Sequence, residues 1–124
     1  MRVDGITPIL NVSDVKASLA WFEALGWERG FVWDEQGFGA DDPTFASIRS
    51  GKAEIFLCLD DQGTRPVWMS WFLPGREDLD AAYARARELG YEISRPPLDE
   101  PWGIREFHLR HPDGHIFRVG CETG

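Results

Sequence analysis

Long apolar runs are absent from this chain of 124 residues. No uninterrupted hydrophobic stretch approaches the roughly 18 residues that span a bilayer, and residues 1–6 carry charge instead of an apolar leader. The sequence therefore predicts no membrane partner and a cytoplasmic location. Its length favours a single domain, residues 1–124, and its hydrophobic content of 43% is enough to supply a core.

Cysteine and positive charge are scarce as well. The two cysteines, Cys58 and Cys121, lie far apart and outside any CxxC or Cys/His spacing, which predicts buried free thiols and neither a disulfide framework nor a zinc site. Thirteen basic residues against 21 acidic ones give a formal net charge of −8. This balance argues against nucleic acid as a partner, because phosphate binding needs a basic surface. It is compatible with a cationic ligand, although acidity also simply favours solubility.

Aromatic side chains, by contrast, are abundant. Six tryptophans and eight phenylalanines are many large rings for the limited interior of so small a domain. Some of them are therefore expected to line an interface or a pocket.

The first half of the chain has the pattern of a strand, a helix and three further strands. Residues 6–12 are apolar and end at a Ser13-Asp14 cap signal, after which apolar residues recur at helical spacing until Gly26. Strand-like runs separated by Gly-, Asp- and Pro-containing turns follow at residues 27–33, 45–50 and 53–59.

The second half repeats this order. A shift of about 64 residues superimposes Leu25-Gly26-Trp27 on Leu89-Gly90-Tyr91, a faint internal repeat. The predicted fold is α+β, with two βαβββ modules, residues 3–60 and 66–122, each forming a curled mixed sheet. One helix cannot cover the apolar sheet face of its module, so the two modules must pair with each other or with a second chain, and a homodimer is predicted. The predicted elements of this half are a strand at 67–73, a helix at 77–89, and strands at 91–94, 104–110 and 115–121.

Two long loops remain, residues 33–44 and the proline-containing residues 95–103. Loops of this length more often border a functional site than serve only as connections.

Four motifs carry a resemblance to a known family. They are residues 8–14 (PILNVSD), residues 18–22 (SLAWF), residues 100–107 (EPWGIREF) and residues 111–115 (HPDGH). On these motifs the chain resembles the vicinal oxygen chelate superfamily, which includes glyoxalases, bleomycin resistance proteins and extradiol dioxygenases, over essentially its whole length. The stretch Pro101-Trp102-Gly103 before Arg105-Glu106-Phe107 is similar to the bleomycin resistance branch in particular.

The resemblance also implies where a metal would be held in the superfamily's enzymes. Their four ligand positions fall on Thr7, Glu54, Trp71 and Arg118, and of these only Glu54 is an ordinary metal ligand. His111 and His115 flank the predicted Asp113-Gly114 turn and are expected to face solvent, so they do not restore the site. The sequence therefore predicts no metal, no cofactor and no catalysis, since the superfamily's reactions use the metal as a Lewis acid.

A ligand cleft at a dimer interface is implied instead. Bleomycin-type antibiotics combine planar rings with a cationic tail, which aromatic rings and carboxylates could hold. Trp102 has motif support, and its neighbour Gly103 leaves a ring face open for stacking, although the ring could instead close the end of the sheet. The other candidates rest on residue type and inferred position. The full predicted set is Phe31, Trp33, Phe38, Phe45, Asp60, Asp61, Trp71, Trp102 and Gly103.

Three functions thus remain open at this stage. The first is sequestration of a bleomycin-type antibiotic by a non-catalytic binder. The second is a metal-dependent enzyme of the superfamily, such as a glyoxalase, a dioxygenase or a thiol transferase, in which the metal ligands lie at positions other than Thr7, Glu54, Trp71 and Arg118. The third is binding of another planar small molecule.

Overall fold

The computed structural model describes residues 1–34, 37–38 and 41–124. These residues form two compact units, Met1–Arg65 and Pro66–Gly124. Each unit contains one helix and one mixed sheet, which confirms the predicted α+β class. Within the described ranges, no helix is both long and apolar enough to cross a membrane.

The sheet of the first unit has the strand order β1-β5-β4-β2-β3, with β1 parallel to β5 and the other pairs antiparallel. Helix α1 begins where predicted, because the Asp14 side chain accepts a hydrogen bond from the backbone N–H of Ala17 at 3.0 Å. The elements are β1 (Ile9–Val12), α1 (Val15–Ala24), β2 (Glu28–Asp34), β3 (Gly37–Phe38), β4 (Phe45–Ser50) and β5 (Ala53–Leu59).

Alternation along β4 and β5 gives this sheet two different faces. Ala46, Ile48, Ile55 and Leu57 are buried on the face that packs with α1. The β4–β5 register pairs Phe45 with Cys58 and Ser47 with Phe56 on the opposite face. We refer to this second face, which carries Phe45, Ser47, Phe56 and Cys58, as the pocket face.

The second unit repeats the arrangement with four strands in the order β6-β9-β8-β7, β6 lying parallel to β9. Leu79, Phe107 and Phe117 are fully or almost fully buried in its core. Its elements are β6 (Trp68–Phe72), α2 (Arg76–Glu88), β7 (Glu92–Asp99), β8 (Ile104–Arg110) and β9 (Ile116–Glu122).

The two predicted loops contain more strand than expected. Strand β7 extends to Asp99, so most of the predicted loop 95–103 is wrong. Pro96 and Pro97 are tolerated there because β7 is an edge strand and because both prolines lie between Arg95 and Leu98, where the β7–β8 register is irregular. Within the predicted loop 33–44, β2 runs to Asp34 and β3 follows; residues 35–36 and 39–40 lie outside the described residues.

The turn between β8 and β9 is built around buried histidines. His111 and His115 are 1% and 0% exposed, so the prediction that they face solvent is wrong. Each ring nitrogen Nδ1 accepts a backbone N–H at 3.0 Å, from Asp113 in one case and from Val67 in the other. The imidazoles therefore satisfy backbone donors inside the unit. The predicted burial of Cys58 and Cys121 as free thiols is confirmed.

Candidate ligand-binding site

A cavity of about 790 Å³ opens on the pocket face of the first sheet. Its volume falls in the range of small-molecule sites, roughly 300–1,000 Å³. Four of the predicted site residues, Phe31, Trp33, Phe45 and Asp61, belong to its lining. Among the described residues, Thr44, Cys58, Leu59 and Gln62 also line it.

Two phenylalanine rings, Phe31 and Phe45, line this cavity, and a third ring, Phe56, packs against both of them. Phe31 and Phe45 are almost parallel, with ring centroids 5.7 Å apart, and Phe56 lies 5.5 Å from each of them. The Ser47 hydroxyl accepts a hydrogen bond from the backbone N–H of Phe31 at 3.2 Å. Because the rings support one another and β2 is tied to β4, the wall is already ordered before any ligand arrives.

Trp33 extends the aromatic surface beyond this wall. It pairs with Phe45 across β2 and β4, and 37% of the residue is exposed. A partly exposed indole beside an apolar cavity offers a stacking surface for a planar molecule. The backbone of Phe38, in β3, pairs with that of Trp33, in β2. The side chain of Phe38 lies outside the described residues, so its role in ligand binding stays a prediction.

The two neighbouring carboxylates, Asp60 and Asp61, have different surroundings. Asp60 has a positive φ of 43°, and its two carboxylate oxygens accept hydrogen bonds from Arg65 at 2.8 Å each. Asp61, and not Asp60, lines the cavity. Of the two carboxylates, Asp61 is therefore the candidate for a negative charge at the cavity.

Asn11 holds the turn that carries these carboxylates. Its side chain is almost completely buried in β1. Its Oδ1 accepts the backbone N–H of Gln62 at 3.0 Å, and its Nδ2 donates to the Gln62 carbonyl. Sequence reasoning used Asn11 only as part of a family motif and missed this contact. The available signal was an amide between two apolar residues, Leu10 and Val12, in a strand.

Trp102 lies in the second unit and is more than half exposed. Its Nε1 donates to Glu106 at 3.2 Å, and the Arg118 guanidinium lies 5.6 Å from the ring centroid. Gly103 closes the adjoining turn by donating its backbone N–H to the Glu100 carbonyl at 3.1 Å. The ring is thus held in place while much of its surface remains open.

Trp102 is held by an ion pair between Glu106 and Arg118, in which the carboxylate is buried and the guanidinium is partly exposed. Glu106 is 2% exposed and accepts hydrogen bonds from Arg118 at 2.7 and 2.8 Å. His108 lies 3.1 Å from the same carboxylate. Hydrogen bonding by Arg118 is the main reason that the pKa of Glu106 falls from 4.5 to about 2. Sequence reasoning missed this pair, although oppositely charged residues in the two neighbouring predicted strands, 104–110 and 115–121, were a usable signal.

Trp71 points away from this pair. Its ring stacks on Phe117 with centroids 4.3 Å apart, whereas the β6–β9 register places Ser70 opposite Arg118. Trp71 therefore lies on the other face of the sheet from Arg118, and the metal position assigned to Trp71 is wrong by one residue. A repeat offset of 64 residues misplaces β6 by one position, and in a strand that reverses the side-chain direction.

The remaining family metal positions provide few donors. Glu54, the one ordinary ligand among them, lies 3.6 Å from Arg49, and Arg118 is committed to Glu106. Across residues 1–34, 37–38 and 41–124, no three His, Cys, Asp or Glu side chains are grouped to hold a metal ion.

Comparison with known proteins agrees with this architecture. Residues 2–119 match the Glyoxalase/Bleomycin resistance protein/Dioxygenase superfamily, and the chain belongs to that superfamily. The superfamily name covers enzymes and resistance proteins alike, so membership leaves catalysis undecided. Sequence comparison with curated proteins gives no match.

Solved structures share the fold at low sequence identity. TioX from Micromonospora sp. ML1 has a TM-score of 0.80 at 17% identity, covering 95% of this chain and 99% of its own. A superfamily member from Sphaerobacter thermophilus DSM 20745 has a TM-score of 0.73 at 26% identity, with coverages of 97% and 98%. Lactoylglutathione lyase from Agrobacterium tumefaciens has a TM-score of 0.75 at 15% identity, with coverages of 99% and 97%.

Proposed function

We propose that the protein is a non-catalytic binder of a planar, cationic small molecule, and that it sequesters an antibiotic of the bleomycin type. The observation that supports this proposal is the cavity on the pocket face, which combines an ordered aromatic wall with Asp61. We also propose, as the sequence predicts, that the protein is cytoplasmic and forms a homodimer.

The chemistry of the cavity favours ligands that are flat and positively charged. Stacking on an aromatic ring contributes about 0.5–1.5 kcal/mol beyond the area it buries, and Phe31, Trp33 and Phe45 all present rings to the cavity. A carboxylate at its edge attracts a cation and steers its approach. Trp102 is proposed as a second stacking surface, supported by its exposure and by its hydrogen bond to Glu106.

The ion pair at Arg118 favours a binder over an enzyme. A guanidinium donates hydrogen bonds and has no lone pair for a metal, and here it is held by a buried carboxylate. Admitting a divalent ion at this position would require Arg118 to move aside and give up both of its hydrogen bonds to Glu106.

Tryptophan fluorescence titration of the purified protein tests the proposal. Bleomycin and a panel of planar cations are added with and without a divalent metal. We expect saturable binding that needs no metal, and about thirtyfold weaker binding by Trp102→Ala, because truncating a hot-spot ring costs about 2 kcal/mol.

The same preparation is assayed for turnover of methylglyoxal hemithioacetal, catechols and fosfomycin. Metal-dependent turnover of any of these substrates would contradict the proposal and show that the protein is a metal-dependent enzyme. Saturable binding of other planar cations without any response to bleomycin would support a non-catalytic binding protein but exclude a bleomycin-type antibiotic as its ligand.

A further inference from the structure

The turn after β5, residues 60–65, is fixed at three points. Asp60 donates its backbone N–H to the Cys58 carbonyl at 2.9 Å. The Asp60 side chain is bound by Arg65 in two hydrogen bonds. Gln62 is bound through its backbone to the side chain of Asn11. We call residues 60–65 the acidic turn.

Of these contacts, the one with Asn11 joins the acidic turn to β1, the strand next to β5. The carboxamide of Asn11 satisfies both the N–H and the carbonyl of Gln62, as a neighbouring strand would. Asn11 is 3% exposed, and loss of its carboxamide would remove both hydrogen bonds that tie the backbone of Gln62, an exposed residue, to β1. The turn also approaches closely, since a Cβ on Gly63 would lie 3.4 Å from Asn11 Nδ2 and φ of Gly63 is +86°.

This contact decides which of two adjacent carboxylates reaches the cavity. Gln62 and Asp61 both line it, whereas Asp60 is turned toward Arg65. A rotation of the turn by one residue would present the neutralised Asp60 in place of Asp61. The position of Gln62 therefore fixes the charge at the cavity.

We propose that Asn11 is a positioning residue that sets the charge selectivity of the cavity: it holds Asp61 there and so favours planar aromatic monocations over neutral molecules of the same shape. This inference rests on the proposed function and adds to it a ligand class and a residue that acts through another.

Binding of N-methylacridinium and of acridine, kept neutral by a mildly alkaline buffer, tests the inference. The two probes have nearly the same shape and differ in charge. We expect the wild type to prefer the cation by about fivefold, the upper range for a partly exposed charge pair. Asn11→Ala and Asp61→Asn should each bring the ratio of the two affinities, N-methylacridinium to acridine, close to one. Each should change the affinity for acridine itself by less than about twofold.

A double-mutant cycle separates positioning from a general loss of structure. If Asn11 acts through Asp61, Asn11→Ala has no further effect on the ratio in the Asp61→Asn background. Ser18→Ala, which alters another buried polar residue of the first unit, should leave the ratio unchanged. Gly63→Ala disturbs the same contact from the side of the turn and should lower the ratio, which keeps the test available if Asn11→Ala does not fold.

Amide exchange at Gln62 distinguishes the two ways in which the account could fail. Loss of Gln62 protection in Asn11→Ala with an unchanged cation preference would overturn the positioning role and leave the proposed function standing. Failure of the wild type to bind either probe would overturn the proposed function, and this inference with it.

Discussion

Asp60 and Asp61 have the same side chain and adjacent positions, yet only Asp61 lines the cavity. Arg65 neutralises Asp60 through two hydrogen bonds. The sequence identified the pair as a candidate for a cationic ligand but could not separate its members. Which of the two lines the cavity depends on the positive φ of Asp60 and on the contact between Asn11 and Gln62 of the acidic turn, two residues that are 51 positions apart in the sequence.

Trp33 is the ring whose removal should most clearly separate binding from folding. Because more than a third of it is exposed, Trp33→Ala should change the free energy of unfolding by less than about 1 kcal/mol. It should weaken ligand binding by about thirtyfold, since a stacking ring at a binding hot spot is worth about 2 kcal/mol. Calorimetry and urea unfolding measure the two effects.

Trp21 is the matched control, a tryptophan of the same unit that is buried on α1. Trp21→Ala should cost about 3–5 kcal/mol of stability through the cavity it leaves, with unchanged affinity in the protein that remains folded. An unchanged affinity in Trp33→Ala would remove Trp33 from the site.

Glu106 connects three elements: β8, on which it lies, β9 through Arg118, and the turn that carries Trp102. Glu106→Gln should reduce the free energy of unfolding by about 1.5–3 kcal/mol at neutral pH, the value of hydrogen bonds to charged groups. The pKa of Glu106 is about 2 when folded, below its ordinary value of 4.5. Its stabilisation is therefore complete above pH 4.5 and is lost as the pH falls toward 2.

Urea unfolding of wild type and Glu106→Gln across this pH range checks the sign. The difference between the two proteins should shrink as the pH falls, because protonation gives wild-type Glu106 the neutral form that Gln already has. Glu92→Gln in β7 is the control, since Glu92 and Arg110 form an exposed pair and should contribute no more than about 0.5 kcal/mol. A difference that grows toward low pH would contradict the assignment.

The periodicity of the sequence was sufficient for both helices and for most strands, including the exact bounds of β8. It failed where burial depends on distant partners. Pro96 and Pro97 look like loop residues until β7 is known to be an edge strand, and His115 looks exposed until Val67 is found beside it. Trp71 was misassigned because a faint repeat cannot fix strand register to one residue.

Most of the candidate cavity could be predicted as residue types but not as a set. Phe31, Trp33 and Phe45 were expected from aromatic character, and they come together because β2 and β4 are adjacent. Phe56, which packs against Phe31 and Phe45, and Asn11 were not predicted. The amide of Asn11 inside an apolar strand was a usable signal, but its partner Gln62 lies 51 positions away in the sequence. Which side chains line the cavity depends on which strands are neighbours in the sheet, and a single sequence does not specify that pairing.

The whole molecule is still predicted to be a homodimer. Large apolar side chains remain exposed in both units, among them Trp68 and Phe72 at 62% and 75%, and burying them would favour association. An obligate interface should cover on the order of 2,000 Å² or more. Sedimentation equilibrium should give twice the chain mass of 14.1 kDa, and a monomer throughout the micromolar range would contradict the prediction.

The central claim, that the pocket face of the first unit binds a planar cation, is tested most directly by mapping a ligand onto the sequence. Amide chemical shifts of the isotope-labelled protein are recorded while bleomycin, freed of metal, is added. We expect saturable shifts at Phe31, Phe45, Asp61 and Gln62, which are among the residues that line the cavity. The absence of saturable shifts, or shifts confined to residues 66–124, would contradict it.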